Sequence, residues 1–257
     1  MVIREAAVAR RTGTWALGSG LDGVRHVLCV PGRRRGLWSQ YVDGVSSAYN
    51  RHGVLAALDL RADVPHAGHP WVAVSLDGDR VVAGLRINGP LRMVDDAAAV
   101  REFAVDPVAG ERVRRILAAT LPDGVAEIKG FWVRHDHADR HDIAAGLAGS
   151  AREIASLIGV RHLLCTAADH AAGRWIGAGG LPLTCIPQVP YPDDRYRTGM
   201  LWWDHDHPGR TPDQSGAVSP AGDRHRLVPP PRGVRAHPPV RRRSGRSTAA
   251  GLTGMVA

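Results

Sequence analysis

The sequence predicts an α/β domain in which helices cover both faces of a mixed, mostly antiparallel sheet. Stretches with helical spacing of apolar residues alternate along the chain with strand-like apolar runs, and an Asp77-Gly78 dipeptide marks a hairpin turn between two of those runs. The 257 residues are enough for one domain with extensions. The element order, which is helix, hairpin, helix, strand, helix, strand, helix and strand pair, is typical of this fold class.

The individual elements follow from local patterns. Leu37, Tyr41 and Val45 recur at helical spacing and predict a helix over residues 36–50. A second strong helix, over residues 143–158, ends at a glycine, the residue type that commonly terminates helices. The remaining predicted elements are a hairpin over 69–87, helices over 110–121 and 170–180, and strands over 126–134, 161–166, 181–189 and 195–203.

The positive charge of the chain is concentrated near its C-terminal end. The formal net charge is +8, and residues 208–257 hold nine arginines against two acids, a balance of +7. This stretch is rich in proline and poor in large apolar residues, which predicts disorder. We therefore expect a folded domain over residues 1–207, with its core at about 30–204, and a disordered Arg/Pro-rich tail over 208–257. A nucleic-acid partner is expected only through this tail.

Composition also predicts the cellular compartment. The sequence has no run of about 18 apolar residues, which predicts no membrane span. Its three cysteines are odd in number and show no C-x-x-C spacing, which predicts reduced thiols in a cytoplasmic protein.

The segment HDHADRHD, residues 135–142, resembles a metal site. Metallo-β-lactamase-type hydrolases carry H-x-H-x-D-H after a strand, and His135, His137 and Asp139 fit that pattern. Arg140 stands at the last ligand position, and no spacing identifies further ligands later in the chain. A metal-dependent hydrolase is therefore an alternative. The main interpretation is a polar loop, and no metal is expected.

The element order over about residues 30–204 resembles the GNAT (Gcn5-related N-acetyltransferase) superfamily. In that fold a central strand and the following helix bind the acyl donor, and the loop between them usually reads Q/R-x-x-G-x-G/A. Its backbone N–H groups hold the pyrophosphate of coenzyme A. Here Asp139, Asp142 and Ala144 occupy the three motif positions, which alters this cradle, and Asp142 is also a candidate N-cap. The resemblance implies an acyl-CoA or acyl-phosphopantetheine donor in contact with Trp132, Val133, Arg134, Arg140, Asp142, Ile143 and Ala144.

A closer resemblance is to acyl-homoserine-lactone synthases and long-chain N-acyl amino acid synthases, which have a GNAT-like fold without the pyrophosphate glycines. Their pattern is an aromatic-rich helix, an acidic segment, a G-x-x-R in the hairpin and a Glu that opens the central strand. LWSQY, ALDLRAD, AGLRI and AEIKGFWVR stand in that order here. The resemblance implies a polar pair of Arg86 and Glu127, with Asp59 in the acidic segment. Ala83 replaces the glycine of G-x-x-R, and Gly130 replaces the arginine of Glu-x-x-Arg.

The residues implied by this resemblance have chemical roles in the aminolysis of a thioester. Glu127 is the candidate base, Arg86 the candidate clamp for an acceptor carboxylate, and His170 the candidate proton donor to the leaving thiolate. Asp59 and Arg86 are the candidate substrate-binding residues. Gly130 suits a β-bulge that turns a strand N–H toward the thioester oxygen. A structural ion pair of Arg86 with Glu127 is the alternative to a catalytic one.

The sequence thus predicts an N-acyltransferase that moves an acyl group from acyl-CoA or an acyl carrier protein to a small-molecule amine. Three alternatives from other classes remain open. One is a GNAT-fold binding or regulatory domain that has lost catalysis, and another is a nucleic-acid-associated protein that acts through its Arg-rich tail. The third is the metal-dependent hydrolase that would use residues 135–142.

Overall fold

The computed structural model describes residues 13–21, 23–58, 71–212 and 218–220 of the chain. An eight-stranded sheet runs through this part of the chain in the order β1-β2-β3-β4-β5-β6-β8-β7. Its strands are β1 (Thr14–Leu21), β2 (Val24–Cys29), β3 (Trp71–Asp77), β4 (Arg80–Asn88), β5 (Val125–Val133), β6 (His162–Ala168), β7 (Leu181–Pro182) and β8 (Thr198–Asp204). Two short strands, β9 (Arg210–Pro212) and β10 (Val218–Pro220), pair in a separate sheet.

Helices cover both faces of the large sheet. Buried side chains alternate along β3: Val72 and Val74 pack in one cluster with the first helix, whereas Ala73 packs on the other side with the helix that follows β5. We call these the α1 face and the α4 face. The α1 face carries α1 (Arg35–Arg51), α2 (Ala98–Glu102) and α3 (Pro107–Thr120), and the α4 face carries α4 (Arg140–Gly149), α5 (Ala151–Ile158) and α6 (Asp169–Gly177).

The large sheet is mixed and mostly antiparallel. All neighbouring strands are antiparallel except β5 and β6, which are parallel and are joined through α4 and α5. Helices on both faces and a mostly antiparallel mixed sheet confirm the predicted GNAT-like α/β fold.

Local sequence explains where several elements begin and end. The Asp106 side chain caps α3 by accepting hydrogen bonds from the N–H groups of Val108 and Ala109, and Pro107 occupies the first helical position. Gly159 ends α5 in the left-handed conformation with a φ of 73°, as predicted. Gly78, with a φ of 58°, forms the tight turn between β3 and β4, so the predicted hairpin is confirmed.

The structure also corrects several predicted boundaries. The helix predicted over 143–158 is two helices, α4 and α5, separated at Ser150. The predicted strand over 181–189 contains only the two-residue β7. The hairpin of β1 and β2 and the short helix α2 were not predicted, because β1 is glycine-containing and irregular in register and α2 has only five residues.

The chain beyond position 207 was predicted to be a disordered tail. Strands β9 and β10 lie in that region, so ordered backbone continues past the predicted boundary. Residues 213–217 and 221–257 lie outside the described residues, and the disorder of the tail stays a prediction. Among the helices that the structure describes, none combines the length and the apolar composition that crossing a lipid bilayer requires.

Helix α1 packs closely on the sheet because glycines remove side chains at the contact. A Cβ at Gly44 of α1 would lie 2.1 Å from the ring of Trp132 on β5. A Cβ at Gly84 of β4 would lie 2.7 Å from the ring of Tyr41. Both aromatic side chains are buried, so neither ring is free to move aside.

We expect Gly44→Ala to lower the free energy of unfolding by about 1–3 kcal/mol, because the added methyl group overpacks the contact with Trp132. Gly36→Ala is the matched control on the same helix, since a Cβ there meets no atom within 4 Å. Its better helix propensity makes it neutral or stabilising by up to about 1 kcal/mol. Urea unfolding of both variants measures the difference, and equal stability of the two would contradict this packing.

Candidate active site

The sheet opens between β5 and β6, the parallel pair at its centre. Pairing of these strands ends at Ile128 and Cys165. β5 continues to Val133, whereas β6 stays paired beyond this point only with β8. The β6-facing backbone edge of β5 therefore lacks a strand partner over its last residues. The first residues beyond the last pair are Lys129 and Thr166, and we call this point the vertex of the gap.

A β-bulge lies beside the vertex. The register of β4 on β5 shifts between Gly84 and Arg86, opposite Gly130. Gly130 has a φ of 60°, a conformation that glycine adopts far more readily than other residues. The Tyr41 hydroxyl donates a hydrogen bond of 3.0 Å to the Gly130 carbonyl, and a Cβ at Gly130 would lie 2.4 Å from that hydroxyl oxygen. The predicted bulge is confirmed.

A buried ion cluster occupies the vertex on the α1 face. The Lys129 ammonium donates to Glu102 Oε1 and, over 2.9 Å, to Thr166 Oγ1. The Thr166 hydroxyl donates over 2.6 Å to the other oxygen of Glu102. Side-chain exposure is 17% for Lys129 and 4% for Glu102, so the pair is largely shielded from solvent. Side chains of β5, β6 and α2 thus meet at the point where the strands part.

Glu127, the predicted base, is fully buried and caps the N-terminus of α2. Its two carboxylate oxygens accept hydrogen bonds of 2.7 Å from the Ala98 N–H and 2.9 Å from the Ala99 N–H. The residue at the N-cap position is Ala97, whose side chain has no polar atom to make this bond. A carboxylate from β5 therefore replaces the usual capping side chain of α2.

The two ends of α2 are thus held by two residues of one strand. Glu127 binds the first turn of α2, and Lys129, two residues later on the same face of β5, binds its last residue, Glu102. Five helical residues span about 6 Å from first to last Cα. Positions i and i+2 of a strand are about 6.6 Å apart. The short helix and the strand spacing match, and both charges have the sign that favours the helix dipole.

Burial and charge determine the protonation of this cluster. Burial raises the pKa of Glu127 above its ordinary value, and the Lys129 ammonium and the two amide donors oppose that rise. Burial alone would lower the pKa of Lys129, but the carboxylates of Glu102 and Glu127 raise it above its ordinary value. Lys129 is therefore an ammonium near neutral pH and acts as a hydrogen-bond donor, not as a base.

Arg86 lies across from Lys129 in the register of β4 and β5, and its guanidinium is buried. The Arg86 Nε has no hydrogen-bond partner within the described residues. Burial raises the pKa of the Tyr41 and Tyr49 phenols. The Arg86 charge partly offsets the rise at Tyr41, and the Lys129 ammonium and, less strongly, Arg86 partly offset the rise at Tyr49. In the described part of the chain, no hydrogen bond or ion pair joins Arg86 to Glu127.

The polar loop before α4 does not gather its histidines and aspartates. His137 faces Asp77 of β3 at 3.6 Å, and its Nδ1 accepts from the backbone N–H of Asp139. No group of three or more His, Cys, Asp or Glu that could hold a metal ion occurs among the residues with described coordinates. Asp139, not Asp142, is the N-cap of α4, and it makes no side-chain capping bond; Asp142 lies in the first turn.

The other predicted donor-binding residues divide into buried and exposed groups. Ile143 and Ala144 are both buried, Ile143 in the core of the α4 face, and Trp132 is buried against α1. Arg140 is exposed, whereas Arg134 pairs with Asp136 over 2.8 Å.

The remaining predicted site residues lie apart from the ion cluster. His170 is exposed in the first turn of α6, with its ring 5.8 Å from that of Tyr196. Asp59 lies outside the described residues.

Two cavities lie near α1. One, of about 280 Å³, separates α1 from the ends of β4 and β5, and the predicted residues Trp132, Val133 and Arg134 contribute to its lining. The larger one, of about 460 Å³, lies at the start of α1 among several arginines, and none of the predicted site residues lines it.

Sequence reasoning missed three members of the ion cluster, which are Lys129, Glu102 and Thr166. Glu102 is 27 residues from Lys129 and 64 from Thr166, and no local spacing links them. One signal was available. Lys129 is the only lysine among 33 basic residues, and it stands in the apolar strand that also holds Glu127.

Comparison with known proteins identifies relatives in mycobacteria. Uncharacterized proteins Rv1356c and MT1399 of Mycobacterium tuberculosis and Mb1391c of Mycobacterium bovis are each 42% identical to the chain over 182 residues. The match covers 70% of this chain and 68% of each relative. The chain belongs to the family of these mycobacterial proteins. No protein-family model matches this member of the family.

Solved structures similar to this family member include three acyltransferases. The N-acyl amino acid synthase FeeM from uncultured soil microbes is 14% identical, with 72% of this chain and 94% of that chain covered and a TM-score of 0.46. The CoA-dependent acyl-homoserine lactone synthase MesI is 16% identical, with coverage of 73% and 90% and a TM-score of 0.48. An acyl-CoA N-acyltransferase from Pseudomonas aeruginosa is 10% identical, with coverage of 70% and 98% and a TM-score of 0.45.

We expect Glu127→Gln to lower the free energy of unfolding by about 1–3 kcal/mol, because the amide NH₂ group would face one of the two α2 N–H donors and leave it unsatisfied. Glu111→Gln is the control, since Glu111 is exposed and bonds only Arg115 within α3. Urea unfolding compares the two variants with the unchanged protein. An unchanged midpoint in Glu127→Gln would show that this carboxylate does not cap α2.

Proposed function

We propose that this protein is an N-acyltransferase that moves an acyl group from a thioester to the amine of a small molecule. The observation that carries the proposal is the gap between β5 and β6, with the bulge at Gly130 and the ion cluster at its vertex. The free backbone edge of β5 suits an extended, amide-bearing chain that hydrogen-bonds as an added strand would. The pantetheine arm of an acyl donor is such a chain.

Aminolysis of a thioester requires specific chemical groups in the site. The amine nitrogen attacks the thioester carbonyl carbon, a C–N bond forms, and the carbonyl π pair moves to the oxygen. When the pair returns, the C–S bond breaks, the amine proton passes to a base and the thiolate takes up a proton. The products are an amide and a thiol. The site must therefore stabilise an oxyanion and exchange two protons.

For proton removal from the amine, Glu127 stays our proposed base. Its burial and raised pKa support that role. Its capping bonds to α2 give it a structural role as well, so its catalytic effect must be measured per folded molecule. His170 stays the proposed proton donor to the thiolate; it is exposed in the first turn of α6, the helix that follows β6.

For the donor, we propose recognition mainly through the pantetheine arm. The N-terminus of α4 already carries the negative charges of Asp139 and Asp142, which disfavour a pyrophosphate there. Exposed Arg140, at the first position of the same helix, is available to the acidic surface of an acyl carrier protein.

For the acceptor, we propose an amine that also carries a carboxylate. The Arg86 guanidinium is buried beside the vertex, and its Nε has no partner in the part of the chain that the structure describes. A buried guanidinium with no carboxylate partner among the described residues favours an anionic ligand, and a carboxylate matches its planar donors. Arg86 and Lys129 are cross-strand neighbours, so the acceptor would lie next to the thioester. None of the three cysteines, Cys29, Cys165 and Cys185, forms a disulfide in the part of the chain that the structure describes, which supports a reducing, cytoplasmic location.

A catalytically inactive binding domain is the second candidate, and the acidic N-terminus of α4 favours it.

We expect amine-dependent thiol release from acetyl-pantetheine and acetylated acyl carrier protein at least as fast as from acetyl-coenzyme A, with the amide product identified by mass spectrometry. Absence of amine-dependent release from all three donors would favour the inactive domain.

Arg140→Ala tests the carrier-protein part of this proposal. The change should raise the Michaelis constant for the carrier protein but not for acetyl-pantetheine. A preference for coenzyme A that Arg140→Ala does not affect would contradict the proposed donor recognition.

Arg86→Lys tests the acceptor. We expect it to raise the Michaelis constant for carboxylate-bearing amines by about tenfold or more, because an ammonium cannot reproduce the two-point contact of a guanidinium. The corresponding amines without a carboxylate should show little change. Arg80→Lys, at the exposed start of the same strand, is the control. An equal effect on both amine classes would contradict carboxylate recognition by Arg86.

A further inference from the structure

The only side-chain amine of the protein lies where the gap in the sheet begins. Lys129 is the single lysine of the chain, and it is the first residue of β5 beyond the last pair with β6. Across the gap, its ammonium bonds the hydroxyl of Thr166, the first residue of β6 beyond that pair. All the other residues among the 33 lysines and arginines of the chain are arginines, so Lys129 is the one basic side chain of its type.

One of the three N–H groups of the Lys129 ammonium makes no hydrogen bond to the described residues. A lysine ammonium has three N–H groups. One bonds Glu102 and one bonds Thr166, whose own hydroxyl hydrogen goes to Glu102. No third partner occurs among the residues whose positions are described. The Lys129 side chain is 17% exposed, and its third N–H is a donor at the vertex that the described residues leave without a partner.

We propose that Lys129 is a catalytic residue of the acyl transfer, and that its third ammonium hydrogen binds the carbonyl oxygen of the donor thioester at the vertex. This inference rests on the proposed function. As the amine attacks and the carbonyl π pair moves to oxygen, the new negative charge forms beside the ammonium. When the C–S bond breaks, the pair returns, and Lys129 keeps all three of its protons.

The surroundings of Lys129 suit a hydrogen-bond donor at this position and do not suit a general base. Glu102 and Thr166 fix the position of its nitrogen before any substrate arrives, so the charge needs no reorientation during the reaction. The two carboxylates of the cluster keep the group charged. On the other face of β5, the partly buried Phe131 ring packs against Trp175 with ring centroids 5.2 Å apart.

The single lysine allows a direct test on the unmodified protein. Protein labelled with ¹³C,¹⁵N-lysine gives one set of lysine side-chain NMR signals, from Lys129. The first probe is an acetyl-pantetheine analogue in which CH₂ replaces the thioester sulfur, so that the carbonyl stays but cannot be cleaved. The control probe is S-ethyl-pantetheine, which has no carbonyl oxygen. Binding of each probe is measured independently by calorimetry.

We expect a saturable shift of the Lys129 Nζ signal with the ketone probe and a much smaller shift with the thioether. Equal or absent shifts with both probes bound would overturn the role of Lys129 and leave the acyltransferase proposal intact. Failure of both probes to bind, together with no thioester turnover, would overturn both proposals.

A double variant supplies the kinetic test. Lys129→Gln with Glu102→Gln removes one positive and one negative charge together, so neither partner remains as an unpaired buried ion. We expect its kcat to fall by about 100-fold, with the Michaelis constant for the donor changed less than threefold. A folded double variant with the kcat of the unchanged protein would overturn the proposal. If the double variant does not fold, the NMR measurement decides.

Discussion

The attachment of α2 to β5 is the interaction on which the site depends. A five-residue helix has too few internal hydrogen bonds to be stable alone, and this one lacks a capping side chain of its own. Glu127 supplies the cap and Lys129 binds the last residue, so two opposite charges of one strand hold the two ends of the helix. The same contacts bring Glu102 to Thr166 and join β5 to β6 by side chains beyond the end of their backbone pairing.

This attachment also explains how charges are tolerated deep in the fold. Each ion of the cluster has a specific partner, either an opposite charge, a hydroxyl or a pair of backbone N–H groups. Arg86 differs, because its Nε lacks a partner within the described residues. The contrast separates groups whose hydrogen bonds are complete among the described residues from Arg86, whose Nε is not satisfied by them.

Local patterns were sufficient to predict much of the fold. Helix α1, the β3–β4 hairpin, β5 and the bulge at Gly130 each follow from periodicity or from a glycine at a position of unusual backbone conformation. Helix α2 could not be predicted this way, because its capping group is 29 residues further along the chain. The ion cluster has the same origin. It exists only after three distant elements have packed together, and the one local sign of it was a lysine in an apolar strand.

The scarcity of lysine has a chemical consequence of its own. Activated acyl compounds react with exposed, uncharged amines, and lysine side chains are the usual targets on protein surfaces. This chain has one such side chain, and it is four-fifths covered and kept protonated by neighbouring carboxylates. Arginine, which carries the rest of the basic charge, stays protonated and does not compete as a nucleophile. The protein therefore offers almost no side-chain amine that reactive thioesters could acylate spontaneously.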